Sequence, residues 1–137
     1  MRPFPKTDEG KTWFMDLLRR KGFEDVEETT QYAHCDVTAT YKGEKMIFEL
    51  KNRDAYFFTY MDAGLSKERY EFLRDCGMRA FYVCFWNDKW KVIDVKRCPP
   101  TGERYIGSRR TTRFGDTRWW NHMLVTWPLD IRQVYDY

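Results

Sequence analysis

Asp36-Val37-Thr38-Ala39-Thr40-Tyr41-Lys42-Gly43-Glu44-Lys45-Met46-Ile47-Phe48-Glu49-Leu50-Lys51 is the stretch that decides the fold. Residues 36–41 and 45–51 each alternate polar and apolar side chains, and Lys42-Gly43 supplies a turn between them. Two antiparallel strands are expected. A loop centred on Lys42-Gly43 sets Val37 opposite Phe48 and Ala39 opposite Met46 on one side, which is expected to be the buried one. The same register sets Asp36 opposite Glu49 on the other side, with Lys51 two residues along the same strand and so on the same face.

Directly opposed side chains in such a ladder have Cβ atoms roughly 4.5–5.5 Å apart, and like charges there are destabilising. Something must compensate for two carboxylates. Lys51 alone is one candidate. A divalent metal bridging both acids is the other, because Mg²⁺ is held by one or two carboxylates together with waters and substrate phosphates. The metal arrangement is suited to phosphodiester hydrolysis: the ion polarises the phosphate and activates water, and the lysine positions water or stabilises developing charge. The plain alternative is an ordinary strand pair with a solvated face of mixed charge.

Asp36 followed by Glu49-Leu50-Lys51 resembles the active-site pattern of the PD-(D/E)xK nuclease superfamily, over a span from about Glu9 to Asp94. The resemblance implies a restriction-endonuclease-like α/β fold, with an αβββαβ core and a mixed central sheet. It implies that Asp36 and Glu49 bind Mg²⁺ or Mn²⁺, that the Leu50 carbonyl adds a ligand, and that Lys51 is the catalytic lysine. It also implies an acid from the first helix in the metal site, for which Glu9 is the best candidate and Asp16, seven residues on, the alternative. One departure is Cys35, which stands where such families often have proline.

The element order points the same way. Thr7-Asp8-Glu9 has an N-cap hydroxyl and first-turn acids, and Phe14, Leu17, Leu18 and Lys21 repeat at helical spacing before Gly22. Those first-turn acids equally suit the helix dipole, which is the structural reading of Glu9. Val26–Tyr32 is expected as a first strand, followed by the hairpin. Ser66 is expected to cap a helix over Lys67–Cys76 that ends at Gly77, and Ala80–Trp86 and Trp90–Asp94 read as a strand pair joined by Asn87-Asp88. Lys67, at the start of the second helix, and Arg53, just beyond Lys51, are candidate phosphate contacts; both also suit solvent-exposed positions.

A chain of 137 residues suits one domain, with a core over about 7–95 and an extension over 96–137. Residues 1–95 carry 16 Lys/Arg against 17 Asp/Glu, whereas residues 96–137 carry 8 against 4, so the basic excess lies entirely in the extension. Cys98-Pro99-Pro100 breaks regular structure there. The Gly/Ser/Thr/Arg-rich stretch from Arg104 to Arg118 reads as a loop or β-arm. Arg109, Arg110, Arg113 and Arg118, interleaved with Phe114, Trp119 and Trp120, have the composition of a nucleic-acid contact surface. Alternatively the arginines form a solvated basic surface, and Trp119, Trp120, Trp127 and Leu129 cover the sheet or form a dimer seam.

Cys35, Cys76, Cys84 and Cys98 form no Cys-x-x-Cys pair, and His34 and His122 are the only histidines, so paired zinc-ligand spacing is missing. A thiol nucleophile at Cys35 is disfavoured because its strand neighbours His34 and Asp36 point to the opposite face. No apolar run is long enough to span a bilayer, and Met1-Arg2-Pro3-Phe4-Pro5 leads into no signal-peptide core, so a cytoplasmic protein without membrane contact is expected. The sequence is therefore expected to encode a Mg²⁺- or Mn²⁺-dependent endonuclease acting on DNA. Small size suits a structure-selective enzyme of the Holliday-junction-resolvase kind, in that case a homodimer, or a small nuclease within a larger complex. The alternative is a non-catalytic module on the same fold that binds nucleic acid or protein.

Overall fold

The computed structural model describes residues 7–29, 36–52, 62–86, 90–111, 117–128 and 134–136. Within them the order is α1 (Thr7–Arg20), β1 (Glu24–Glu28), β2 (Val37–Tyr41), β3 (Glu44–Asn52), β4 (Asp62–Ser66), α2 (Lys67–Asp75), β5 (Arg79–Phe85), β6 (Trp90–Asp94), β7 (Gly102–Thr111), β8 (Thr117–Pro128) and β9 (Val134–Asp136). Six strands form one sheet in the order β1-β2-β3-β5-β6-β9, and β4-β8-β7 form a second. In the larger sheet β3 and β5 run parallel while the other neighbours are antiparallel, so it is mixed. No described helix is long and apolar enough to cross a membrane.

The hairpin register follows from its turn. Lys42 and Gly43 both have positive φ, 50° and 81°, as a two-residue type I′ turn requires. Val37 pairs with Phe48 and Ala39 with Met46, as the turn-centred arithmetic expects. The first strand is displaced from expectation. It begins at Glu24, and a register shift between Glu24 and Glu27 coincides with Asp25 at φ 49°. Its expected C-terminal half lies outside the described residues, apart from Thr29, whose N–H donates to the Asp36 carbonyl at 3.0 Å.

One face of the large sheet packs on α1. Phe14 and Leu18, four residues apart and so on one helical face, join Val37, Ala39, Phe48, Phe81, Val83, Phe85 and Trp90 in one cluster. Phe48 stacks on Phe81 with ring centroids 5.2 Å apart, and Phe14 meets Phe48 edge-on at 5.3 Å.

The opposite face is buried as well, and Trp127 covers part of it, as one reading of the C-terminal tryptophans expected. Ile47, Tyr82 and Ile93 are fully buried there beneath Leu73 of α2, Ala63 and Leu65 of β4, and Val125 and Trp127 of β8. The physical reason is the parallel β3–β5 pair. Parallel neighbours need a crossover connection, and that connection, here β4 and α2, lies over one face and buries the strands on both sides. Two hydrogen bonds lock the second layer down: Tyr82 Oη donates to the Gly64 carbonyl at 2.7 Å, and Trp127 Nε1 donates to the Cys98 carbonyl at 2.6 Å.

Residues after Asp94 thus contribute to the core. Of the Arg104–Arg118 region, read as a loop or arm, residues 104–111 and 117–118 belong to an antiparallel ribbon in which β7 and β8 pair from Gly102–Thr126 to Thr111–Thr117. Because β4 pairs only with Pro128 to Leu124 of β8, the far half of this ribbon extends as two strands.

Candidate active site

Asp36 sits one residue before β2, and the hairpin holds it by backbone and side chain together. Its N–H donates to the Phe48 carbonyl at 3.0 Å, and its Oδ2 accepts the Leu50 N–H at 2.9 Å. These bonds hold Asp36 across from Glu49, between the two residues it touches on β3. Lys11 of α1 approaches Asp36 Oδ1 at 3.7 Å and is itself paired with Glu28 at 3.0 Å.

Glu49 lies in the middle of the sheet on the side covered by α2, with its side chain 4 % exposed. Its partner is Arg69 of α2, whose Nη1 is 2.5 Å from Glu49 Oε1. Burial is the main force raising the Glu49 carboxyl to about 7, the nearby Asp36 charge adds to it, and Arg69 pulls the other way. Those directions are the ones expected when a desolvated acid has both a like and an unlike charge beside it. Lys51 follows on the same strand, and the alternation of β3 directs it to the Glu49 face, where it is exposed.

The donor set fits a hard divalent cation. Two carboxylates face each other, one is oriented by a backbone N–H, and the other is buried with a raised pKa that a cation would lower. Among the described residues no group of three or more His, Cys, Asp and Glu side chains could hold a metal ion; Asp36 and Glu49 are two acids only. For Glu9 the described backbone lies in the first turn of α1. Asp16, the alternative on that helix, is tied to Arg19 at 2.9 Å on an exposed surface.

The other candidates are more dispersed. Lys67 lies 3.7 Å from Glu103, in a cleft between α2 and β7 lined also by Tyr70, Arg74 and Pro100. Arg109 and Arg110 lie on β7 opposite Trp119 and Arg118 of β8. Arg53 and Arg113 fall outside the described residues.

Sequence reasoning missed Arg69 and Lys11. A signal for Arg69 was available: it stands four residues before Leu73, which is fully buried, so it shares the sheet-facing side of α2. A guanidinium at the edge of such a face can reach an acid on the sheet. The sequence does not say which acid, because Glu49 is twenty residues away and on another element.

No protein-family model matches the chain, and no curated protein matches it in sequence. Among solved structures the chain is similar to Archaeoglobus fulgidus Hjc, a Holliday junction resolvase from an archaeal hyperthermophile, with a TM-score of 0.51 at 19 % identity. The likeness covers 66 % of this chain and 78 % of that one. At that identity it establishes the fold: a restriction-endonuclease-like mixed α/β architecture around a mixed central sheet.

Proposed function

We propose that this chain is a Mg²⁺- or Mn²⁺-dependent nuclease of the PD-(D/E)xK type that cleaves DNA phosphodiester bonds, selects branched DNA by shape, and acts in the cytoplasm, as a homodimer where two strands are cut. The observation that carries the reading is the opposition of Asp36 to a buried Glu49 on adjacent strands, with Lys51 next on the same face. Similarity to a protein described as a Holliday junction resolvase supports the substrate class.

Asp36 and Glu49 would hold the ion, with the Leu50 carbonyl and Glu9 as further oxygen donors. A divalent ion held there would supply Lewis-acid charge to a phosphate oxygen and favour deprotonation of the attacking water. The chain's own residues do the rest. The Leu50 N–H fixes the direction of the Asp36 carboxylate. The second layer keeps water away from Glu49, which strengthens its pull on any cation it meets. Lys51, exposed at the end of β3, orients the attacking water and neutralises charge developing on the phosphate. Arg53, Lys67, Arg109, Arg110, Arg113 and Arg118 are the proposed backbone contacts to DNA. A two-stranded ribbon such as β7–β8 has dimensions that a major groove admits.

A second reading, a non-catalytic binding module on the same fold, is favoured by one observation: Lys11 and Arg69 already answer the charge of both acids without a metal. Incubating the protein with linear, branched and single-stranded DNA and RNA in Mg²⁺ or Mn²⁺ separates the two readings. Cleavage is expected for wild type, and a loss of about a hundredfold or more for Lys51→Ala, with DNA affinity kept within a few fold. Equal loss of cleavage and affinity would make Lys51 a phosphate anchor, and no cleavage of any substrate would leave the binding module.

A further inference from the structure

The contact between Arg69 and Glu49 is lopsided. The glutamate side chain is 4 % exposed and the arginine side chain 46 %, so the guanidinium reaches in from the solvent side and lies over the acid. It engages Glu49 through Nη1, one of three nitrogens that together carry five N–H donors in a planar fork. Its backbone is firmly placed, because its N–H donates to Ser66 Oγ at the start of α2 and Leu73, one turn on, is fully buried. The side chain is thus a long arm on a fixed base.

Charge at the site decides what this arm does. With both acids ionised, Asp36 and Glu49 carry two negative charges, and the Lys11 and Arg69 that contact them carry two positive ones. A dication added to both acids takes this set from neutral to +2, so the cations that had paired with the acids are in excess. Lys11 has Glu28 as a second acid at 3.0 Å and can keep its place. Among the described residues Glu49 is the acid with which Arg69 pairs, so Arg69 is the cation left over. A substrate phosphate arriving at the ion restores negative charge at the point from which the guanidinium has been released. Arginine suits that anion, since its fork matches two phosphate oxygens.

We propose that Arg69 is a metal-responsive phosphate clamp: it holds Glu49 in the metal-free protein, yields that carboxylate to the divalent cation, and then grips a phosphate of the DNA substrate. This deepens the nuclease reading and rests on it. It makes the same residue an obstacle to metal binding in the free protein and an aid to substrate binding in the loaded one. A merely structural ion pair has the first property without the second.

The test has two binding measurements, both independent of cleavage. Calorimetric titration of Mn²⁺ into DNA-free protein, in alkaline buffer, compares wild type, Arg69→Ala, Arg69→Lys and Asp36→Ala, each checked for folding by its melting curve. Arg69→Ala should bind Mn²⁺ roughly tenfold more tightly than wild type, the size expected when a charge-assisted hydrogen bond no longer has to be broken. Arg69→Lys should fall between them, and Asp36→Ala should lose binding. Anisotropy of a short branched DNA in chelator and then in Ca²⁺ gives the second measurement. The affinity gained on adding Ca²⁺ should be smaller by roughly tenfold in Arg69→Ala than in wild type, despite its tighter hold on metal.

Equal or weaker Mn²⁺ binding by Arg69→Ala, with wild type binding and Asp36→Ala not, overturns the clamp and leaves the metal site standing. An undiminished Ca²⁺-dependent gain in DNA affinity also overturns it. If wild type binds no Mn²⁺ with or without DNA, the metal-site reading falls and the clamp falls with it.

Discussion

Replacing Glu49 by glutamine removes one buried ionisable group and should change how stability depends on pH. In the folded chain the Glu49 carboxyl titrates at about 7, against 4.5 for the unperturbed side chain. Burial is the first cause and the Asp36 charge the second, with Arg69 opposing both. At 1.36 kcal/mol per pH unit, that difference corresponds to about 3 kcal/mol. Between the two values the folded state binds more protons than the unfolded one, so stability falls as pH rises. The favourable contribution is fully present below about 4.5 and is lost once the pH has passed about 7. Urea denaturation of wild type and Glu49→Gln in the presence of a chelator, at a series of pH values spanning this window, isolates the effect, because titrating groups that do not interact with Glu49 cancel in the difference. Wild type should lose about 3 kcal/mol relative to the glutamine variant from the acid end to the alkaline end. A difference that stays flat across the window would refute the claim that Glu49 is buried beside a second carboxylate.

Two further expectations concern other parts of the molecule. Neutralising Arg109, Arg110 and Arg113 together should weaken binding to all DNA sequences alike and flatten the salt dependence, by roughly 0.9 in the slope of log affinity against log salt for each lost contact on duplex DNA. Anisotropy across a salt series measures it, and an unchanged slope would place these arginines away from phosphate. Leu73→Ala, which empties a fully buried position between α2 and the sheet, should cost about 2–5 kcal/mol by chemical denaturation. A cost near zero would mean that α2 does not pack as described.

The hairpin and its acids were legible because a turn fixes register locally. With positive φ at Lys42 and Gly43, a slip of one residue would send Val37 and Phe48 to the other face, so the apolar pattern and the turn had to agree. Both helices, the β5–β6 pair and the position of Asp36 across from Glu49 followed from such local signals. Other features depend on partners far away in the chain. β4 reads Asp62-Ala-Gly-Leu-Ser66, with a central glycine and few strand-forming side chains, and it becomes a strand by pairing with β8 some sixty residues later. Polar–apolar alternation in β3 suggested a one-sided sheet, yet Ile47 is as buried on the acid face as Phe48 is on the other, because coverage of a strand by a crossover leaves little trace in that strand's own sequence. Arg69 escaped notice for the same reason: its partner is set by where α2 docks.

Pairing of β4 with β8 also governs the order in which the protein can take shape during synthesis. A ribosome releases the chain from its N-terminus at roughly 5–20 residues per second, so several seconds pass between the emergence of Ala63 and that of its neighbour Trp127. For that interval Ile47, and later within it Tyr82 and Ile93, lack the indole that eventually covers their side of the sheet, and β4 lacks its hydrogen-bonding neighbour. The acid pair is laid down early, whereas the layer that seats Arg69 over Glu49 closes late. A nascent chain therefore exposes an apolar sheet face beside an unfinished centre, and a chaperone that shields such faces has its opportunity in that window.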